Sequence, residues 1–115
     1  MPREFSRTER MSYQIQRELA GLIAKEVNDP RLRGLTISEV TISRDLAQAT
    51  VYVTGEASST SDEILVVLRK ASGFLRKNLA RRIRAKGVPR LEFVYDHSFD
   101  KAARLLDLID NAVVS

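Results

Sequence analysis

Asp96-His97-Ser98 places a carboxylate, an imidazole and a hydroxyl, the side-chain types of nucleophilic catalysis, at three consecutive positions of a 115-residue chain. Neighbouring residues of an extended chain point in alternating directions, so adjacency in sequence does not assemble a proton relay. His97 is expected as a turn residue and Ser98 as a helix cap. His97 is the only histidine and there is no cysteine. That composition removes thiolate nucleophiles, disulfides and the usual zinc centres. No glycine-rich phosphate loop is present, and no carboxylates cluster as a two-metal nuclease requires. The expectation is a protein with no catalytic residues, no metal and no cofactor.

The other chemistry written into the chain is attraction of anions. Between Glu63 and Glu92 there is no acidic residue, while nine basic ones occur: Arg69, Lys70, Arg76, Lys77, Arg81, Arg82, Arg84, Lys86 and Arg90. At about 100° per residue, Leu75, Leu79 and Ile83 fall on one side of a helix and Lys77, Arg81 and Arg84 nearly opposite. No acidic residue within the block neutralises these cations at helical spacing, so an external polyanion is the economical partner. After Arg90 the balance reverses: Glu92, Asp96, Asp100, Asp107 and Asp110 stand against Lys101 and Arg104. One part of the molecule attracts phosphate and another repels it.

The elements that must position this block follow from periodicity. Ser6-Arg7-Thr8-Glu9 reads as a capping box, and Met11, Ile15, Leu19, Leu22, Ile23 and Val27 recur at helical spacing, predicting a helix over residues 7–27. Arg7, Arg10, Gln14 and Arg17 form a second stripe on it, which either extends the cationic surface or faces solvent. Asn28-Asp29-Pro30-Arg31 ends the helix. Residues 35–43 are rich in β-branched side chains, and the apolar phase changes between Ile37 and Val40, so a bulged strand is expected. Arg44-Asp45-Leu46 turns the chain into a second strand over residues 47–53 with Ala49, Val51 and Val53 inward, making an antiparallel hairpin. Tyr52 would face the other side as a cross-strand packing partner.

Ser61 can cap a helix whose first turn carries Asp62 and Glu63. Ile64, Leu65, Leu68, Leu75, Leu79 and Ile83 form its apolar seam. Ala71-Ser72-Gly73 interrupts that seam, so two helices meeting there are expected. Gly87-Val88-Pro89 stops the second, and Leu91, Phe93 and Tyr95 alternate as a third strand. A final helix containing Leu105, Leu106, Leu108 and Ile109 would be capped by Ser98 or Asp100.

Apolar content of 43% and charged content of 30%, with a net charge of +4, are ordinary for one globular domain spanning residues 1–115. No apolar run approaches the roughly 20 residues that span a bilayer. The start, Met1-Pro2-Arg3-Glu4-Phe5, has no apolar signal core, so a cytoplasmic protein that does not engage a membrane is expected.

The order helix, strand, strand, helix, helix, strand is that of an α+β, type II KH-like fold, in which a GxxG loop between consecutive helices clamps single-stranded nucleic acid. Here Ala71-Ser72-Gly73 stands at that junction, an AxG pattern, flanked by Lys70, Arg76 and Lys77. Together with the basic first helix, Asp29-Pro30-Arg31-Leu32, Ser43-Arg44-Asp45-Leu46, Ala49-Thr50-Val51-Tyr52-Val53, Ala71-Ser72-Gly73-Phe74-Leu75-Arg76, Pro89-Arg90-Leu91-Glu92-Phe93 and Asp96-His97-Ser98, it makes the chain resemble the bacterial ribosome-binding factor A family over residues 3–112. The resemblance implies a non-enzymatic, monomeric assembly factor that binds the free small (30S) ribosomal subunit and supports late maturation and 5′-end processing of 16S rRNA, notably in the cold. Nearby ribosomal proteins are further candidate partners. The residues expected to meet RNA are Lys70, Ser72, Gly73, Arg76, Lys77, Arg81, Arg82, Arg84, Lys86 and Arg90, with Arg7 and Arg10 from the first helix. The alternative is a general KH-like RNA-binding regulator.

Overall fold

The computed structural model describes residues 7–56, 59–83, 87–98 and 104–109. Helix α1 spans Arg7–Glu26 and buries Ile15, Leu19, Leu22 and Ile23 on one stripe, the spacing that places side chains on one face of a 3.6-residue turn. Ser6 of the expected capping box lies outside the described residues. Beyond the helix, the Asp29 carboxylate accepts from the Arg31 amide at 2.9 Å and from the Arg31 guanidinium at 3.0 and 2.8 Å. This clasp fixes a 3-10 turn, Pro30–Leu32, that delivers Leu32 to the core. Gly34 follows with φ +73°, a conformation that favours glycine, and a Cβ there would also displace the exposed Glu56 side chain.

Strands β1 (Thr36–Ile42), β2 (Gln48–Thr54) and β3 (Arg90–Tyr95) form one sheet in the order β1-β2-β3. β1 and β2 pair antiparallel, with the expected bulge at the register shift between Ile37 and Glu39. In the turn between them, the Asp45 carboxylate accepts from the Ser43 hydroxyl at 2.7 Å and the Ala47 amide at 3.0 Å, and Leu46 takes φ 62°. β2 pairs parallel with β3, which demands a crossover. Helix α2, Ser61–Arg82, is that crossover.

Ala49, Val51 and Val53 point inward from β2 and are fully buried, as their alternation predicts. Leu91 and Phe93 lie beside Ala49 and Val51 in the parallel register. These strand residues meet Ile15, Leu19 and Leu22 of α1 and Ile64, Leu68, Leu75 and Leu79 of α2 in one core. Tyr52, on the other side of the sheet, is half-buried opposite Glu39. Among the described residues no helix is long and apolar enough to cross a membrane.

Two expectations are corrected. First, α2 is one helix that runs without a break through Ala71-Ser72-Gly73. Ala71 packs partly buried against the core and continues the seam from Leu68 to Leu75. The Ser72 hydroxyl donates to the Arg69 carbonyl at 2.8 Å, so its polar group is satisfied inside the helix. Gly73 faces open space, and none of the three demands a break. Second, the N-cap of α2 is Thr60, not Ser61: Thr60 is extended, at φ −80° and ψ 155°, and its hydroxyl accepts from the Glu63 amide. At the expected start of the final helix, the Asp96 carboxylate accepts from the Ser98 amide at 2.9 Å. Asp100 lies outside the described residues. Residues 104–109 are helical, but Leu105, Leu106, Leu108 and Ile109 are 50 to 66% exposed and add nothing to the core.

Candidate nucleic-acid interface

Lys70, Lys77 and Arg81 all stand exposed on α2. At about 100° per residue they share one flank within about 40° of one another. The opposite side of α2 is nailed to the core by Leu68, Leu75 and Leu79, each fully buried, so the core determines which way the cations face. Gly73 borders that flank, about 40–80° from the three cations, and a Cβ added to it would meet no atom within 4 Å beyond its chain neighbours and its own helix backbone. No contact among the described residues requires glycine there. Ser72 is half-buried and occupied with the Arg69 carbonyl.

Other expected contacts are placed differently. Arg76 donates from Nε and from an Nη nitrogen to the Val88 carbonyl, at 3.1 and 2.9 Å, and so anchors the segment leading into β3. Arg82 reaches across to Glu18 of α1, at 3.4 Å. Arg90 is exposed at the first position of β3, where its amide donates to the Ala47 carbonyl at 2.9 Å. Arg7 and Arg10 are exposed at the start of α1. Arg10 lines a groove between α1 and β1 together with the carboxylates Glu9 and Glu39, a mixed-charge setting unlike that of α2. Arg84 and Lys86 lie outside the described residues.

Reading by charge alone missed Phe74. It is 47% exposed on the helix that carries the cations, and its position four residues after Lys70 and three before Lys77 was the available signal.

The carboxylate, imidazole and hydroxyl after β3 are arranged as a clasp. Asp96 accepts from the Ser38 hydroxyl at 2.7 Å and from the Ser98 amide at 2.9 Å. The Ser98 and Ser38 hydroxyls, and then the Ser98 amide, hold its carboxyl down at about 2. The clasp ties the end of β3 to the bulge in β1. The His97 ring lies against Tyr95, with centroids 4.8 Å apart, and the Tyr95 hydroxyl accepts from the Gly55 amide at 3.2 Å.

Two helices on one face of a three-stranded mixed sheet, with a cationic flank on the helix that crosses from β2 to β3, define an α+β, KH-like protein. The family model of ribosome-binding factor A matches residues 7–109. Ribosome-binding factor A of Alkalilimnicola ehrlichii is 53% identical, over 98% of this chain and 88% of its own length. That of Halorhodospira halophila is 50% identical, over 96% of this chain and 89% of its own length. The crystal structure of ribosome-binding factor A from Thermus thermophilus superposes with a TM-score of 0.72 at 34% identity, covering 78% of this chain and 97% of that one. A homology model of the Thermus thermophilus factor, fitted into a cryo-electron-microscopy map of its 30S complex, gives a TM-score of 0.65 at 36% identity, covering 75% of this chain and 91% of that one. The chain belongs to the ribosome-binding factor A family.

Proposed function

We propose that this protein is a non-enzymatic assembly factor of the cytoplasm, acting as a single domain over residues 1–115. It binds the free small (30S) ribosomal subunit and supports late maturation and 5′-end processing of 16S rRNA, notably in the cold. The observation that carries the reading is the flank of α2, where Lys70, Lys77 and Arg81 stand exposed in a stretch without a carboxylate from residue 64 to residue 91. The 30S complex of the Thermus thermophilus relative supports the choice of partner.

Phosphate contacts of this kind hold a protein in register on RNA and carry little sequence information. Specificity then comes from the shape of the rRNA surface. Arg76 and Arg82 contribute long-range attraction while keeping their structural partners. The processing role is indirect: the bound protein shapes or guards precursor rRNA while other proteins cut it. Sedimentation tests this reading. The protein co-migrates with free small subunits and little with complete ribosomes, and incubation with precursor rRNA yields no cleavage. Equal association with complete ribosomes, or cleavage by the purified protein, contradicts it.

A further inference from the structure

The cationic flank of α2 carries a half-exposed aromatic side chain that, among the described residues, stands outside the hydrophobic core. Phe74 is 47% exposed, whereas its neighbour Leu75 is fully buried. At about 100° per residue, Lys70, Lys77 and Arg81 all lie within about 60° of Phe74 around the helix axis. The preceding residue is Gly73, with open space where a side chain would be. Glycine is the poorest helix former after proline, and here no contact among the described residues demands it. The cationic flank of α2 is thus bordered on one edge by a half-exposed apolar ring and on the other by bare backbone, about 100° apart around the axis, with three cations between them.

The exposed half of the ring forgoes the gain of burial, so the occupant must offer it an apolar flat face. The same occupant must satisfy the cations, which have no carboxylate nearby in sequence. A folded acidic protein could meet the charges, but its apolar side chains and carboxylates are not obliged to alternate at this spacing. An unpaired nucleotide strand alternates a π-face and a phosphate at every step. Duplex RNA does not fit as well, because its base faces are already stacked on one another.

We propose that Phe74 is a stacking platform for an unpaired RNA base, with Lys70, Lys77 and Arg81 holding the adjacent phosphates and Gly73 leaving room for the sugar against the helix backbone. The inference rests on α2 being the RNA face and adds that the contacted RNA presents at least one unstacked nucleotide. Every base has a π-face, so the site tolerates sequence.

The chain contains no tryptophan, so Phe74→Trp installs a sole indole reporter at the site. Titrating the full-length variant with single-stranded oligoadenylate quenches its emission saturably, while inorganic polyphosphate does not. Phe74→Leu keeps an apolar side chain but removes the ring's stacking face. It weakens oligoadenylate binding about 10-fold and leaves the salt dependence unchanged. Phe74→Tyr retains binding.

Wild-type affinity in Phe74→Leu, alongside weakened binding when Lys77 and Arg81 are reversed, overturns the stacking site and leaves the RNA face standing. Wild-type affinity in both overturns the site and the face together. Unquenched emission with oligoadenylate, combined with lost subunit capture in Phe74→Leu, assigns the ring to a protein contact and overturns the proposal. Circular dichroism confirms that each variant keeps the fold, as expected for an exposed position.

Discussion

Arg76 donates two hydrogen bonds to the Val88 carbonyl, at 3.1 and 2.9 Å, joining the middle of α2 to the segment that starts β3. A cation that counts toward the RNA-binding block in sequence is thereby committed to the fold. Hydrogen bonds from a charged donor contribute about 1.5–3 kcal/mol, so Arg76→Ala is expected to destabilise by about that amount, read by urea unfolding. Arg76→Gln tests the charge separately from the packing: its subunit affinity falls less than that of Lys77→Gln. A larger loss at Arg76 than at Lys77 would place Arg76 in the interface itself.

Gly73 tests whether the bare backbone serves the fold or the partner. A methyl there meets no atom within 4 Å beyond its own helix, and alanine favours the helix by about 1 kcal/mol. Gly73→Ala is therefore expected to raise the melting temperature while weakening capture of small subunits. A variant that is more stable and binds as the wild type does would show that the partner makes no close approach there.

Much of this architecture is legible in the chain. Alternation at Ala49, Val51 and Val53 located the inner face of β2, and the phase change between Ile37 and Val40 located the bulge. Composition points to a break in α2 because Ala71-Ser72-Gly73 are residues of a helix breaker, whereas the helix is continuous. What keeps the helix intact is the Ser72 hydroxyl turned back onto the Arg69 carbonyl and Ala71 taking a place in the seam, neither of which composition reveals. The cap shifted by one residue because Thr60 and Ser61 are equally able to accept an amide. The commitments of Arg76 and Arg82 were hidden because their partners, Val88 and Glu18, are chosen by packing between distant segments. Leu105, Leu106, Leu108 and Ile109 carry the composition of a core helix, yet they stay exposed: periodicity shows which residues share a face, not whether anything covers it.

Acid should loosen the end of β3. The Asp96 carboxyl sits at about 2 because the Ser98 and Ser38 hydroxyls and the Ser98 amide favour its charged form. A carboxyl depressed in the folded state adds stability that is fully present above its unfolded value, near 4, and is lost as pH falls through about 2. Asp96→Asn removes this contribution, so its stability changes less than the wild type's between those limits. Urea midpoints measured across that window check it, and parallel curves for the two proteins would mean that the clasp does not form.

The exposed pair Arg82 and Glu18 is 3.4 Å apart and should matter little to the fold, since surface pairs are worth about 0–1 kcal/mol. Glu18→Gln releases Arg82 and removes a negative charge near α2. It is expected to leave the unfolding midpoint nearly unchanged and to strengthen subunit binding modestly, read by competition against the wild type. Weaker binding would make Glu18 part of the contact.

The flank of α2 is the centre of the account, and the salt dependence of subunit binding tests it most directly. Binding of the wild type and of the triple variant Lys70→Glu, Lys77→Glu, Arg81→Glu to purified free small subunits is measured by sedimentation over a range of salt concentrations. Removing one cation from a phosphate reduces the slope of log affinity against log salt by about 0.7–0.9. The triple variant is expected to keep native circular dichroism, to capture subunits markedly less and to show a slope shallower by about 2. Unchanged affinity and an unchanged slope in a folded variant would contradict it.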